Sequence, residues 1–179
     1  MAISDPASIP DVRRLREVGA ADLEALADVL VDCVEGGASV SFMLPMTRAK
    51  ALAFWRDIAA GVARGERALL VARDSQGIAG TVQVVLAQPE NQPHRADVAK
   101  MLVHRRARRQ GLGAALMRAA EREARAEGKT LLVLDTADDA AARLYARLGW
   151  RPVGTIPRYA LLPAGGECAT TIFYRPLAA

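Results

Sequence analysis

The sequence predicts an α+β fold in which a mixed, mostly antiparallel β-sheet is flanked by helices on both faces. The chain has 179 residues, of which 51% are apolar and 25% are charged, a size and composition that suit one globular domain around one sizeable core. Apolar residues recur at helical spacing in four segments, and seven other segments are typical of strands. In chain order these segments predict β-α-α-β-β-β-α-β-α-β-β, a layered arrangement of sheet and helices.

The first half of the chain contains six predicted elements, with residues typical of helix ends and turns between them. An apolar stripe at three- and four-residue spacing predicts the first helix, which Gly36 and Gly37 end. Thr47 is a suitable N-cap for the second helix, and Ser75-Gln76-Gly77 is typical of a turn between strands. The predicted elements are a strand at Val12–Val18, a helix through Leu23–Val34, a helix from Thr47 to about Arg64, and strands at Ala68–Arg73, Ile78–Ala87 and Arg95–Val103.

The second half alternates strands and helices before two final strands. Gly128 and Gly149 follow the two helical patterns as expected of C-terminal caps. The predicted elements are a helix from Gly111 to about Glu127, a strand at Leu131–Asp135, a helix at Asp139–Leu148, and strands near Trp150–Thr155 and Thr170–Tyr174, with a turn at Gly154–Pro157. Residues 1–11 are predicted to be a loose tail, and residues 12–179 a single domain.

Composition argues against several classes of protein. No apolar run is long enough to span a bilayer, and the N-terminal residues lack the apolar core of a secretory signal, so we expect a cytoplasmic protein with no membrane partner. Cys33 and Cys168 are expected to be free thiols. No cluster of His, Cys and carboxylates has the spacing of a metal site, so no metal is expected.

The most informative segment runs from Val103 to Leu116. A predicted strand ends, a basic run follows, and Gly111 and Gly113 open a helix. Free N–H groups and the positive end of the helix dipole attract anions at such a point, glycines let a phosphate approach the backbone, and arginines add charge-assisted hydrogen bonds. This combination predicts a pyrophosphate-binding loop.

This segment has three alternative interpretations. A Walker loop is excluded because the chain has no G-x-x-x-x-G-K-[ST] motif. A dinucleotide fingerprint, and with it a nicotinamide-dependent oxidoreductase, has some support because Asp135 ends the next strand, but Leu116 occupies the third glycine position. The remaining alternative is a helix that happens to begin with Gly-Leu-Gly beside a solvated charge run.

A second motif favours the phosphate loop. Tyr145 lies on the predicted helix after the next strand and is followed by Leu148-Gly149-Trp150. Together with Arg108-Arg-Gln-Gly111-Leu-Gly113, this pattern resembles the GNAT superfamily of N-acetyltransferases along nearly the whole chain. The segments Gly36–Met43, RADVAKMLV and LDTADDAAARLY also resemble the tabtoxin-resistance acetyltransferases, which acetylate a β-lactam amino-acid toxin.

The resemblance implies a set of site residues. Tyr145 would be the general acid, and Asp97 and Asp135 the candidate bases. Asp138 stands where the superfamily often has an Asn that contacts the cofactor, and a carboxylate would change that contact. The remaining predicted cofactor-binding residues are Met101, Leu102, Val103, Arg108, Arg109, Gln110, Gly111, Leu112, Gly113 and Ala114.

Two further features concern the acceptor side. The loop Gly36–Met43 is expected to flank the acceptor. Lys100 is interpreted as a surface cation, with a contact to an acceptor carboxylate as the alternative.

The predicted function is transfer of an acetyl group from acetyl-CoA, as cosubstrate, to the amine of a small molecule. The alternatives are an acetyltransferase of protein or peptide amines, and a non-catalytic GNAT-like regulator that binds acyl-CoA or nucleic acid. The chain has a net charge of +4, but no aromatic strand platform or recognition-helix pattern accompanies the basic run, so no nucleic-acid partner is expected. Both a monomer and a homodimer are compatible with the sequence.

Overall fold

The structure is a computed structural model that describes residues 11–178. Of the predicted tail, residues 1–10 lie outside the described part, and Asp11 directly precedes the first strand. The strands are β1 (Val12–Leu15), β2 (Arg67–Asp74), β3 (Gly77–Val85), β4 (Arg95–Val103), β5 (Leu131–Thr136), β6 (Arg151–Leu161) and β7 (Glu167–Pro176). The helices are α1 (Ala20–Glu35), α2 (Arg48–Ala63), α3 (Leu112–Ala126) and α4 (Asp139–Arg147), with a short 3-10 turn at Arg105–Ala107.

All seven strands form one sheet in the order β1-β2-β3-β4-β5-β7-β6. Every neighbouring pair is antiparallel except β4 and β5, which are parallel. The predicted α+β fold, with its mixed, mostly antiparallel sheet, is therefore confirmed. The order of elements along the chain is also the predicted one.

The helices cover the sheet in two groups. Against one face, Leu30 of α1 and Trp55 of α2 pack with Leu69 of β2, and all three are fully buried. Against the other face, Leu116 of α3 packs with Leu132 of β5 in a second cluster that also includes Tyr145 of α4. Burial of apolar side chains on both faces is the main driving force for folding of such a layered structure.

A β-bulge in β4 changes which face its side chains meet. Thr81 pairs with Leu102 and Gln83 pairs with Ala99, so two residues of β4 oppose one residue of β3. Lys100, at the bulge, has a φ of 50°. Before the bulge Val98 belongs to the core on the α3 side, whereas after it Leu102 belongs to the core on the α1–α2 side. The extra residue therefore shifts the alternation of side chains between the two faces.

The structure corrects the bounds of several strands. β1 ends at Leu15 rather than Val18, because the chain must leave the sheet to reach the N-cap of α1 at Gly19. β3 ends at Val85 rather than Ala87 because the backbone N–H groups of the next two residues bond to Glu66 instead of continuing the ladder with β4. β7 runs from Glu167 to Pro176 and is longer than predicted, since it lies between β5 and β6 and pairs with both.

β6 differs most from the prediction. It extends from Arg151 to Leu161, so the predicted turn at Gly154–Pro157 lies inside a strand. Prolines normally indicate strand ends, but β6 is at the edge of the sheet, where a missing N–H is tolerated. The register with β7 is interrupted between Ile156 and Ala160, and Arg158 within this bulge has a φ of 56°.

Three further observations concern the described residues alone. No helix between residues 11 and 178 is long and apolar enough to cross a membrane. In the same range, no group of three His, Cys, Asp or Glu side chains could hold a metal ion. Cys33 and Cys168 are free, as expected.

Candidate active site

A cleft opens where β4 and β5 separate. Only three residue pairs join the two strands, from Arg95–Leu131 to Asp97–Val133, and beyond them the strands diverge. The resulting cleft has a volume of about 1000 Å³ and is lined by both strands, the start of α3, α4, and the loop between α1 and α2. Of the predicted site residues, all but Asp97 and Gln110 line it.

The N-terminus of α3 faces this cleft without a capping side chain. At the N-terminus of each of the other three helices, a side-chain oxygen accepts a hydrogen bond from a backbone N–H group. The acceptors are Asp22 for α1, Thr47 for α2 and Asp138 for α4. At α3 the N-cap is Gly111, with a φ of 80°, and no acidic residue lies in the first turn. The N–H groups of the first helical turn have no intrahelical acceptor, so an anion in the cleft can bind them.

Gly113 allows the second helix at the cleft to come close. A Cβ atom at this position would lie 3.0 Å from Cδ2 of Leu144 on α4. A larger side chain at this position would require the side chain of Leu144 to shift, which would loosen the contact between the first turn of α3 and α4. The two glycines of the predicted loop therefore have separate functions, one in the backbone turn and one in helix packing.

Most arginines of the basic run before α3 form hydrogen bonds with other parts of the protein. Asp32 of α1 accepts hydrogen bonds from both the backbone N–H and Nε of Arg105, each at 2.8 Å. Arg106 donates to Asp74 at 3.0 Å, and Arg108 donates from Nε to the carbonyl of Val103 at 3.1 Å. The run is therefore better described as a fixed loop than as a solvated cationic surface.

Besides Arg108, which lines the cleft while donating to Val103, two further cations lie near the α3 N-terminus. Arg109, with a φ of 62°, is exposed and lines the cleft. Arg118, which sequence analysis missed, also lines the cleft from the next turn of α3. Its position four residues after Ala114, on the same helix face, is the signal that could have identified it. Gln110 instead donates to the carbonyl of Arg106 at 3.2 Å.

Tyr145 reaches the cleft from the core. Its ring packs against Trp150 and Phe173, with centroids 6.1 and 5.8 Å apart, and only 5% of the residue is exposed. Burial raises the pKa of the phenol far above its ordinary value, and the nearby carboxylates of Asp138 and Asp135 raise it further. The hydroxyl is therefore protonated throughout the physiological pH range.

Asp97 and Asp135 line a smaller pocket of about 220 Å³ together with Tyr159 and Ile172. Asp97 forms an ion pair with Arg95 and accepts a hydrogen bond from Nε2 of Gln88 at 3.1 Å. Asp135 accepts a hydrogen bond from Oγ1 of Thr170 at 2.8 Å and also lines the large cleft. Asp135 is thus the carboxylate at the junction of the two cavities, and Asp97 the one that already has a cationic partner.

The arrangement of a diverging parallel strand pair, an uncapped helix and a buried tyrosine agrees with the comparisons to known proteins. Residues 26–150 match the family model described as the acetyltransferase (GNAT) family. The chain belongs to this family. An uncharacterized N-acetyltransferase in the hisH-hisA intergenic region of Azospirillum brasilense is 33% identical over 126 residues, which cover 69% of this chain and 73% of that protein.

Solved structures of other acetyltransferases share the fold. A GNAT superfamily phosphinothricin acetyltransferase from Sinorhizobium meliloti, in complex with acetyl-CoA, is 19% identical with a TM-score of 0.78, covering 95% of this chain and 89% of that one. A ribosomal-protein-alanine N-acetyltransferase from Brucella melitensis is 22% identical with a TM-score of 0.76, covering 93% and 99%. At these identities the likeness establishes the GNAT fold and leaves the acceptor open.

Lys100 of this GNAT protein is not the surface cation that we expected. The bulge in β4 directs its side chain into the cleft, where Nζ donates to Oγ of Ser41 at 3.0 Å and lies 5.9 Å from the ring centroid of Phe54. Burial lowers the pKa of the ammonium, and Asp135 opposes part of this effect. Sequence analysis could not place it because the direction of the side chain depends on the bulge.

Asp32 is predicted to hold the phosphate-loop segment in position. Burial alone would raise the pKa of this carboxyl, but the hydrogen bonds from Arg105 and the proximity of His104 bring it below the ordinary value of 3.8. Its stabilising contribution is therefore complete above that value and is lost as pH falls through the lowered value of the folded state. Asp32→Asn should reduce the free energy of unfolding at pH 7 by about 1–3 kcal/mol.

Chemical denaturation of wild type and variant between pH 2.5 and 7 measures this effect. The difference in stability should begin to narrow below about pH 4, where the carboxyl of the unfolded wild type becomes protonated, and should narrow further as pH falls through the lower pKa of the folded state. Asp28→Asn is the matched control, because Asp28 lies one turn earlier on α1 and bonds to Arg48 at the exposed surface, where a pair contributes about 0–1 kcal/mol. Equal effects of the two substitutions would contradict the role of Asp32.

Proposed function

We propose that this GNAT protein transfers the acetyl group of acetyl-CoA to the amine of a small molecule. The observation that carries the proposal is the uncapped N-terminus of α3 at one end of a cleft formed by the separation of β4 and β5. The helix supplies an anion site for the pyrophosphate of the cofactor, and the separated strands leave room for its acyl end. Arg109 and Arg118, at the same end, add positive charge.

The backbone of β4 is suited to hold the pantetheine arm. Beyond Asp97 its edge toward β5 makes no ladder hydrogen bonds, so the main-chain groups that Met101–Val103 present at this edge would be available to a ligand with amide groups. The carbonyl of Val103 is the exception, because it already accepts a hydrogen bond from Nε of Arg108. A backbone N–H at this edge would also stabilise the negative charge that develops on the acyl oxygen during attack. Such oxyanion contacts typically account for a large share of the rate enhancement in acyl transfer.

A side chain in the cleft would donate the proton that the departing thiolate requires. When bound, acetyl-CoA supplies an acetyl group activated as a thioester. As the acceptor nitrogen bonds to the carbonyl carbon and the C–S bond breaks, Tyr145 would donate its proton to the departing sulfur. Its raised pKa keeps that proton in place beforehand, and transfer is then concerted with bond cleavage because a thiol is the stronger acid.

An acceptor amine is mostly protonated at neutral pH, so a base is required. We assign this role to Asp135, because it lies at the junction of the two cavities and has a single neutral partner, Thr170. Asp97 is held by Arg95 and Gln88 and would orient the acceptor or a water molecule between amine and base. Asp138 would act through its cap on α4, which carries Tyr145.

The pocket beside the proposed base fits a compact acceptor group. The pocket around Asp97 and Asp135 has a volume of about 220 Å³, below the range of about 300–1000 Å³ typical of drug-sized ligands. A compact β-lactam amino acid of the tabtoxin type remains the specific acceptor that the sequence resemblance suggests.

The cofactor site can be tested with one added charge. Ala114→Glu places a carboxylate in the first turn of α3, where it favours the helix itself but repels a pyrophosphate. Acetyl-CoA at a hundredfold excess over its Kd should stabilise the wild type by about 2.7 kcal/mol, and the variant by far less. Differential scanning fluorimetry with and without acetyl-CoA measures both values.

Ala126→Glu is the matched control for this experiment. It adds the same charge to the exposed, C-terminal end of α3, outside the cleft, and should keep the stabilisation by acetyl-CoA. A screen of thiol release from acetyl-CoA over small amines, amino acids and peptides then tests the reaction. Stabilisation by NADH but not by acetyl-CoA, or efficient turnover of peptides alone, would overturn the proposal.

Tyr145→Phe should reduce turnover without weakening cofactor binding. The change removes a hydroxyl and keeps the packing against Trp150 and Phe173, so kcat should fall about a hundredfold to ten-thousandfold while the Kd for acetyl-CoA changes little. Tyr174→Phe in β7, which does not line the cleft, is the control. Steady-state kinetics and calorimetric titration give the two quantities, and an unchanged kcat would make Tyr145 a packing residue.

Asp135→Asn should produce a pH-dependent defect. Asparagine cannot accept a proton, so activity should fall about a hundredfold or more at pH 7 and recover partly as pH rises, since more of the amine is then neutral. Asp97→Asn should have a smaller effect, and Asp139→Asn, exposed on α4, should have none. A log(kcat/KM) profile from pH 6 to 10 distinguishes them, and identical wild-type and Asp135→Asn profiles would exclude Asp135 as the base.

A further inference from the structure

The cleft contains a cation that the proposed transfer reaction does not use. The ammonium of Lys100 is directed toward the α1–α2 side of the sheet, where it contacts Ser41 and the face of Phe54. Helix α3, whose N-terminus is the proposed pyrophosphate site, packs on the opposite face of the sheet. Lys100 therefore faces the half of the cleft away from the proposed phosphate site.

This cation lacks an anionic partner among residues 11–178. Its hydrogen bond goes to the neutral hydroxyl of Ser41, and no described carboxylate oxygen lies within 4.0 Å of its nitrogen. A half-buried ammonium without a counter-ion is costly, and a bound anion would remove that cost. Asp135 is close enough to influence the ammonium electrostatically but is engaged with Thr170 instead.

The backbone around this pair is held in an uncommon conformation. Ser41 has a φ of 77° and Lys100 a φ of 50°, both in the left-handed region that residues other than glycine rarely adopt. The two side chains are joined by a hydrogen bond. Such strain persists only where surrounding structure maintains it, and it is concentrated at binding and catalytic sites.

We propose that Lys100 and Ser41 bind an anionic group of the acceptor, so that the preferred substrates are compact amines that carry a carboxylate a few bonds from the nitrogen. Asp135 then attracts the ammonium end of the acceptor and Lys100 its carboxylate end. This inference rests on the proposed acetyl transfer and narrows its substrate class. An acceptor with both charges is complementary to the cleft, whereas a simple amine leaves Lys100 without a partner.

Matched acceptors test the inference. Free amino acids and their carboxamides, such as methionine and methioninamide or leucine and leucinamide, differ in the anionic group and keep the amine. The wild type should favour the acids in kcat/KM. Lys100→Met should reduce the acid-to-amide ratio about tenfold to a hundredfold, the range expected for a hydrogen bond to a charged group, mainly through KM. Comparing ratios between variants cancels the lower amine pKa of the carboxamides.

Three controls make the result decisive. Lys50→Met removes a lysine that lies 5.6 Å from the ring centroid of Phe42, outside the cleft, and should leave the ratio unchanged. Lys100→Arg keeps the charge and should restore part of the preference. Ser41→Ala, which removes only the hydroxyl partner, should reduce the ratio less than Lys100→Met and provides a second measurement if that variant does not fold.

The outcomes separate the two proposals. If no amine of either kind is acetylated, the proposed function is wrong. If amines are acetylated but the wild type does not prefer the acids, or if Lys100→Met and Ser41→Ala both keep the wild-type ratio, the acetyltransferase assignment stands and the inference about Lys100 is wrong. A lowered ratio in Lys100→Met with recovery in Lys100→Arg supports it.

Discussion

The parallel pairing of β4 and β5 is the constraint on which the site depends. It lasts for three residue pairs and then stops, while the antiparallel ladders on either side continue. If the two strands remained paired to their ends, no cleft would exist, and the β4 backbone would be satisfied by β5. Because they diverge, a row of main-chain groups, the start of α3 and the ring of Tyr145 all face one space.

Charge within the site is divided between structural and available groups. Arg105 and Arg106 are committed to Asp32 and Asp74, which fixes the path of the chain into α3. Arg108, Arg109, Arg118 and Lys100 line the cleft instead, the first three at or just before α3 and Lys100 on the other side of the sheet. The net charge of the chain therefore does not predict where an anion binds. The position of each cation determines whether it pairs with a carboxylate of the protein or is available to a ligand.

Sequence periodicity and motifs predict every helix and strand in order, because apolar alternation and capping residues such as Thr47 act locally. The bulges cannot be predicted in this way. The one at Lys100 depends on pairing with β3, and the one at Arg158 on pairing with β7, so both are set by contacts distant in sequence. As a result, the sequence pattern alone places Lys100 at the surface and makes β6 too short. The proposed phosphate loop can be predicted from the sequence because its arginines and glycines lie within one short segment, whereas Arg118 is found only when a helix face is considered.

The uncapped start of α3 has a consequence for how such a protein can change over evolutionary time. The proposed anion site consists of main-chain N–H groups, so it would persist as long as Gly111 keeps the turn and no acidic residue enters the first turn of α3. The loop Ala38–Met43 and the bulged segment of β6, by contrast, contribute side chains to the other half of the cleft. Under the proposed function, substitutions there would alter the acceptor half of the cleft and leave the cofactor half unchanged. The choice of acceptor could therefore change among related proteins while the use of the same cofactor is retained.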